Sequence, residues 1–475
     1  MPAGARCAHH PWHTLRSRAR AASPAMAGTA NKCIPRETRT GRADREPEGP
    51  VQASVPSLQT RHPPSFSSAL MPTFKALAPL LALTLAATAT LRHAQAAEAQ
   101  DPAAALAPLI AQIEAAQSPK RGGLDGFTLQ EVMKKFGVPG LSIAVVKDFK
   151  IHWAKAYGVA DVETGRAVDV NTAFQAASIS KPVMAMAVVK LAQDGRLSLD
   201  ADVNTMLRAW KVPQTELTRA QPVTPRALLS HTSGSDDGFG FPGYAPDAPL
   251  PSVVQIIQGD NKLANVSGVR FSRPPYQAMK YSGGGSLIMQ QALTDLSGQP
   301  FAELMQSTVL GPLGMTGSSF QQPPRTDWAP RLAYAHNQKG QRMGAPWHVY
   351  PEQAAAGLWT TPSDLARFMI EVQQARRGPG KGKLLTPLGA LEMSSPVGSG
   401  AFAVGLQLEM IGQGWYFMHG GSNWGFQCDL SGHVLKGYGV VIMSNGEGGG
   451  AAIREIRNRV AAAYGWDQLD KPLAR

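Results

Sequence analysis

Cysteine is scarce in this sequence, with three residues in 475. Cys7 and Cys33 lie within the first 70 residues, which leaves Cys428 alone in the rest of the chain. A single cysteine cannot form an internal disulfide, so we expect the fold to be stabilised by packing rather than by cross-links.

Charged residues are also few: they make up 17% of the chain, against 43% hydrophobic residues. This composition excludes a disordered protein and provides enough apolar surface for a large core. The formal net charge of +12 is concentrated at one end: residues 1–70 hold ten Lys and Arg against four Asp and Glu, residues 71–96 add Lys75 and Arg92, and the rest of the chain has 34 basic against 30 acidic residues. The remainder is nearly neutral and has no basic patch, so we expect no nucleic-acid partner.

The apolar run that follows Met71 is too short for a comfortable membrane span, since it extends only from Ala76 to about Thr90. Lys75 precedes it, and the small-x-small tripeptide AQA at residues 94–96 follows it. These parts, in this order, are typical of a secretory signal peptide. We therefore predict a signal peptide and an exported protein, periplasmic or secreted, with no stable membrane insertion after cleavage. An uncleaved anchor is the alternative interpretation.

The signal peptide divides the chain into four predicted parts. If residues 71–96 are the signal and Met71 is the start, then residues 1–70 are an over-extended gene start or a disordered leader. Residues 97–124 are an N-terminal segment, rich in Ala and Gln and a candidate helix. Residues 125–468 form the main domain, with a helical lobe at about 200–345.

Strand-like runs lie at both ends of the main domain. Residues 141–146 and 150–157 flank a polar KDFK turn and predict a hairpin. After residue 402, short runs broken by Gly and Asn predict further strands, and an amphipathic helix closes the chain. We expect an α/β (α+β) fold in which one antiparallel sheet is built from both termini and flanked by helices. The helical lobe is inserted between the strands, and the cleft beside it is the natural place for a site.

One Ser-x-x-Lys motif occurs in the chain, with Ser178 and Lys181 in QAASISKPVM. Pro182 is tolerated only in the first turn of the helix that follows, so both residues lie at its entrance. A serine hydroxyl needs a group that takes its proton, and a lysine three residues along a helix lies within reach. Taken alone, however, the motif favours a simpler interpretation, in which Ser178 caps the helix and Lys181 is solvated.

Two further stretches change that balance. MKYSGGGS places Tyr281, a phenol that can share the proton with Lys181, just before a run of glycines. FMHGGSNWGF places His419 and two glycines at the end of a strand-like run, where a backbone N–H can face a ligand across the cleft.

In this combination the sequence resembles the serine β-lactamase-related hydrolases, which include class C β-lactamases, D-alanyl-D-alanine carboxypeptidases and esterases of the same fold. The likeness extends from about residue 125 to 465. It rests on FQAASISKP, TPRALLSHTSG, YSGGG, LGPLGM, AAGLWTTPSDLARFM and HGGSNWGF. The resemblance implies a β-lactamase/transpeptidase-like fold and a serine hydrolase with a small-molecule substrate, no cofactor and no metal.

The resemblance also implies roles for particular residues. Ser178 attacks a carbonyl and is acylated, Lys181 and Tyr281 move its proton to the leaving group, and water then hydrolyses the acyl-enzyme. The backbone N–H groups of Ser178 and Ser422 form the oxyanion hole. The substrate-binding positions are His419, Gly420, Gly421 and Gly283.

Two of these positions depart from the family pattern. Gly283 stands where a Tyr-x-Asn motif supplies an amide, and His419 replaces the lysine of Lys-Thr-Gly, a permanent cation. Both changes favour an ester or an uncharged amide as substrate. β-Lactamase or D-alanyl-D-alanine carboxypeptidase (penicillin-binding) activity is the alternative, and the sequence does not predict the oligomeric state.

Other classes find less support in the sequence. There is no G-x-S-x-G elbow of an α/β-hydrolase, so we interpret His231 in SHTSG as a residue of a tight turn. A metal-dependent hydrolase would rely on HHPWH at residues 9–13, within the doubtful leader, and no H-E-x-x-H occurs. A ligand-binding or sensing module without turnover is the non-enzyme alternative. The joint presence of Ser178, Lys181 and Tyr281 argues against it.

Overall fold

The computed structural model describes residues 102–117, 124, 126–237, 240–260 and 262–467. The predicted leader and signal peptide lie outside the described residues. No helix in the part of the chain that the structure describes is both long and apolar enough to cross a membrane.

Most of the strands in these described residues form one sheet. The strands are β1 Gly140–Lys147, β2 Lys150–Gly158, β3 Phe174–Gln175, β4 Trp359–Thr360, β5 Gln407–Ile411, β6 Gly414–Asn423, β7 Phe426–His433 and β8 Gly439–Ser444. The large sheet has the order β2-β1-β8-β7-β6-β5, with every neighbouring pair antiparallel. Strands β3 and β4 pair separately as a short ribbon.

The sheet joins the two ends of the domain. Strand β1 pairs with β2 in the predicted hairpin, whose turn residues Asp148 and Phe149 have φ of 51° and 60°. Strand β1 also pairs with β8, so the strands near both termini share one sheet, as predicted. Both β1 and β8 are buried along almost their whole length, because helices cover the two faces of the sheet.

The helices occupy both faces of the sheet and the insertion. They are α1 Pro102–Glu114, α2 Leu129–Lys135, α3 Ser180–Gln193, α4 Glu216–Ala220, α5 Pro225–Leu229, α6 Val253–Gln258, α7 Gly283–Ser297, α8 Phe301–Met305, α9 Gln353–Ala356, α10 Pro362–Arg376, α11 Pro387–Glu392 and α12 Gly449–Tyr464. Short 3-10 turns lie at Ala177–Ile179, Val203–Thr205 and Thr326–Arg331, and a π-turn at Gln306–Leu310.

Alternation along β1 separates the core into two layers. Leu141, Ile143 and Val145 point into a cluster with α1, α2 and α12, whereas Ala144 and Val146 point into a larger cluster that includes α3 and α10. The larger layer continues into the helices between residues 200 and 345. The fold therefore combines an antiparallel sheet with helices on both faces, as the sequence predicts.

Helix α3 lies at the centre of the larger layer. Residues 180–189 are all buried, so the helix is surrounded on every side rather than half exposed. The 3-10 turn Ala177–Ile179 leads into it and contacts β6, β7 and α9. This turn is where the sheet and the helical insertion meet.

Candidate active site

Ser178 lies in the 3-10 turn at the entrance of α3 and is half-buried. The preceding residue, Ala177, has φ of 47°, a region that residues with a side chain seldom adopt. Ser180 holds the turn: its Oγ donates to the Ala177 carbonyl at 2.6 Å and accepts the Leu358 N–H at 3.0 Å. The sequence analysis missed Ser180, whose only signal was its place at a helix entrance.

Lys181 is buried, with 3% of its surface exposed. Its Nζ lies 3.1 Å from Ser178 Oγ and 2.8 Å from the carbonyl oxygen of Ala355 in α9. The interpretation of Lys181 as a solvated residue is therefore wrong, because the helix that carries it is enclosed. The contact that the Ser-x-x-Lys spacing predicts is present, because the Lys181 amine points at the Ser178 hydroxyl.

Tyr281 lies just before α7. Lys181 Nζ is 5.1 Å from the centroid of its ring. The ring is also close to the rings of His231, at 4.4 Å, and of His419, at 6.1 Å, measured between centroids. The structure thus brings Tyr281 and His419 together with Lys181, which lies about 100 and 240 positions before them in the sequence.

The first turn of α7 is anchored by Asp237. One carboxylate oxygen accepts from Ser282 Oγ at 2.6 Å, and the other accepts from the Gly284 N–H at 2.6 Å. Ser282 in turn accepts from the Gly285 N–H, as a helix N-cap does. A carboxylate at a helix N-terminus is also favoured by the helix dipole. Sequence reasoning missed Asp237, because it lies in an irregular loop.

Strand β6 supplies the opposite wall of the site. Its pairing with β5 ends at Met418, so residues 419–423 continue beyond β5. A Cβ at Gly421 would lie 2.3 Å from the Ala176 carbonyl oxygen and 2.5 Å from Cys428 Sγ. Glycine is therefore required at 421 for β6 to approach the turn that carries Ser178.

The neighbouring positions on β6 face open space. A Cβ at Gly420 would meet only the Cys428 carbonyl oxygen, at 3.8 Å, and Ser422 is exposed. Asn423 holds the end of β6 in place by two hydrogen bonds. Its Nδ2 donates to Gln175 Oε1 at 2.8 Å and to the Ala356 carbonyl at 3.1 Å. Sequence reasoning missed Asn423, because its partners lie far away in the chain.

His419 is buried beneath this wall, with 4% exposure. Its Nδ1 donates to the Gly420 carbonyl at 2.7 Å, and its Nε2 has no hydrogen-bond partner among the described residues. Burial, reinforced by the nearby Lys181 ammonium, lowers the pKa of His419 to about 3. The ring is therefore neutral near pH 7 and provides no cation for a substrate carboxylate.

The ring of Phe241 occupies the space next to the Gly283 backbone that a side chain at this position would enter. A Cβ at Gly283 would lie 2.6 Å from Cε2 of the Phe241 ring, which is half-buried. Where the family's Tyr-x-Asn motif would supply an asparagine amide, this protein therefore presents an apolar aromatic surface.

This arrangement defines a class of protein. A serine hydroxyl on a strained turn lies against a buried lysine amine, with a tyrosine on one side and a close glycine strand on the other, an arrangement typical of serine hydrolases. Among the described residues, no group of three or more His, Cys, Asp or Glu side chains is placed to hold a metal ion.

The chain belongs to the Beta-lactamase family, whose profile matches residues 128–464. It is 25% identical to Protein flp of Staphylococcus aureus (strain N315) over 329 residues, which cover 67% of this chain and 61% of that protein.

Solved structures share the fold. The octameric penicillin-binding protein homologue from Pyrococcus abyssi has a TM-score of 0.57 at 23% identity, covering 72% of this chain and 76% of its own. The D-amino acid amidase from Ochrobactrum anthropi SV3 has a TM-score of 0.52 at 19% identity, covering 71% and 98%.

Proposed function

We propose that this protein is an exported serine hydrolase that cleaves an ester or an uncharged amide through an acyl-enzyme on Ser178. The observation that carries the proposal is the 3.1 Å contact between Lys181 Nζ and Ser178 Oγ, made in a buried setting. An amine held against a hydroxyl in this way can take its proton and make the oxygen nucleophilic. Export rests on the predicted signal peptide alone.

In the proposed reaction, the Lys181 ammonium first loses a proton to solvent; the neutral amine then accepts the Ser178 proton while Oγ attacks the carbonyl carbon. The N–H groups of Ser178 and Ser422 stabilise the oxyanion, each such donor being worth roughly 3 to 4 kcal/mol. The proton passes by way of Tyr281 to the leaving alcohol or amine as its bond to carbon breaks. Water then attacks the acyl-enzyme, releasing the acid and restoring the Ser178 hydroxyl.

Two features of the site support this substrate class. The neutral His419 offers no permanent charge to a carboxylate, and Phe241 places an aromatic ring where an amide would bind a peptide-like group. Both features favour an uncharged substrate with an apolar acyl group.

A second candidate is a substrate with a D-amino-acid amide or β-lactam bond. The fold shared with the D-amino acid amidase and the penicillin-binding protein homologue supports this candidate.

A pair of parallel measurements on the protein tests both candidates directly: release of p-nitrophenol from p-nitrophenyl butyrate, and intact mass after brief exposure to benzylpenicillin.

Each outcome has a distinct meaning. Rapid ester turnover without a penicillin adduct supports the esterase, whereas a lasting penicilloyl mass on Ser178 supports the peptidase or penicillin-binding candidate. Ser178→Ala is the control in both arms and should abolish the signal. If the unmodified protein gives neither signal, the non-catalytic binding module becomes the better explanation.

A further inference from the structure

His231, in the tight turn after α5, packs against the ring of Tyr281. It is buried, with 3% exposure, and its backbone has φ of 60°. Non-glycine residues adopt this conformation only where the surroundings hold them in it. The turn therefore holds His231 in a backbone conformation of raised free energy, which a turn with negative φ at this residue would avoid.

His231 binds the backbone on both sides of Tyr281. Its carbonyl oxygen accepts the Lys280 N–H at 2.8 Å, and its ring Nδ1 accepts the Ser282 N–H at 3.2 Å. The backbone N–H groups of the two residues that flank Tyr281 are thus both bound by a single residue 50 positions earlier in the chain.

The His231 ring also supports the Tyr281 ring directly. The two centroids are 4.4 Å apart with an interplanar angle of 34°. On another side, Phe402 meets the His231 ring edge-on at 4.6 Å. The imidazole is packed between two aromatic rings, so it cannot swing away without opening space beside Tyr281.

The contact to Ser282 determines the tautomer of His231. Because a backbone N–H donates to Nδ1, that nitrogen carries no proton and the ring proton lies on Nε2. Burial, together with the positive charge of Lys181 and the proximity of His419, lowers the pKa of His231 well below its ordinary value. The ring is therefore neutral near pH 7, and Nδ1 is available as an acceptor.

We propose that His231 is a positioning residue that holds the Tyr281 hydroxyl in register with Lys181 and Ser178. This inference rests on the proton-transfer role of Tyr281 in the proposed function. It goes beyond a turn-forming role, because a tight turn requires only a residue that tolerates positive φ.

Two substitutions separate these roles. His231→Gly tolerates the backbone conformation but removes both the acceptor and the ring. His231→Asn also tolerates positive φ, and its side-chain oxygen can still accept the Ser282 N–H. If His231 only forms the turn, both variants have the kcat of the unmodified protein.

We expect His231→Gly to lower kcat for p-nitrophenyl butyrate by about tenfold to a hundredfold with KM nearly unchanged, since small displacements of a catalytic group cost this much. His231→Asn should recover part of the loss. Unchanged kcat in both folded variants, checked by circular dichroism and thermal unfolding, would overturn the proposal. If His231→Gly fails to fold, His231→Asn alone should still show reduced kcat with unchanged KM.

A double-mutant cycle tests whether His231 acts through Tyr281. In the Tyr281→Phe background, which lacks the hydroxyl to be positioned, adding His231→Asn should lower kcat no further. Additive losses would overturn the proposal. Failure of the proposed function gives a different result before any change at 231, because either the unmodified protein would show no ester turnover or Tyr281→Phe would retain full activity.

Discussion

Replacing Gly421 by alanine tests whether close approach of β6 to the Ser178 turn is needed for activity. The new methyl group would lie 2.3 Å from the Ala176 carbonyl oxygen and 2.5 Å from Cys428 Sγ, where contacts at 3.4 Å and beyond are ordinary. Removing the overlap requires a displacement of about 1 Å in β6 or the turn, and a shift of that size can reduce catalysis about a hundredfold.

The displacement should also reduce stability. The nearer obstacle, the Ala176 carbonyl oxygen, belongs to the backbone, so rotating a side chain cannot relieve this overlap. Overpacking of this kind costs about 1–3 kcal/mol. We therefore expect Gly421→Ala to lower both the thermal unfolding temperature and kcat/KM for p-nitrophenyl butyrate.

Gly420→Ala is the matched control for stability. It adds the same methyl group one residue earlier, where the nearest atom is 3.8 Å away. Its unfolding temperature should equal that of the unmodified protein, whatever it does to substrate binding. If Gly421→Ala shows the same unfolding temperature as Gly420→Ala together with unchanged kcat/KM, the close approach of β6 has no functional importance and our reasoning is refuted.

Three further predictions concern Lys181, the contact between Gly283 and Phe241, and Glu352. Lys181→Met should abolish ester turnover while the protein stays folded by circular dichroism; residual acylation at the original rate would remove its role as base. Gly283→Asn should be accommodated only together with Phe241→Ala, and the double variant should raise amide turnover relative to ester turnover; an unchanged ratio contradicts our interpretation of Phe241. Glu352 is buried with both carboxylate oxygens unpartnered among the described residues, and burial raises its pKa to about 7. Since the folded protein then holds a proton that the unfolded chain loses above about pH 4.5, stability should fall by about 3 kcal/mol between pH 4.5 and 7. Glu352→Gln should flatten that decline in denaturant titrations; an equal pH dependence in both proteins would contradict it.

The contacts that could be predicted are those set by local geometry. Lys181 reaches Ser178 because residues three apart on a helix share a face, and Pro182 marks the helix entrance whatever lies around it. The hairpin of β1 and β2 is equally local, since a short polar turn separates two strand-like runs.

The contacts that could not be predicted join distant segments. Phe241 fills the space beside Gly283 across some forty residues, and Asn423 binds Gln175 across 248. Nothing in the spacing of either pair indicates that they meet, because their proximity depends on how the helical insertion folds back on the sheet. His231 shows the same limit: its place in a turn was predicted, but its contacts with Tyr281 were not.

Backbone strain links the two sides of the site. Ala177 and His231 both have positive φ without being glycine, and they lie next to Ser178 and against Tyr281 respectively. Such conformations cost of order 1–3 kcal/mol each and persist only where neighbouring contacts enforce them. Here those contacts are the Ser180 hydroxyl on one turn and the backbone around Tyr281 on the other. Ser178 and Tyr281 therefore each depend on a strained turn held by specific hydrogen bonds. A substitution that relaxes either turn should stabilise the backbone locally while loosening the catalytic geometry.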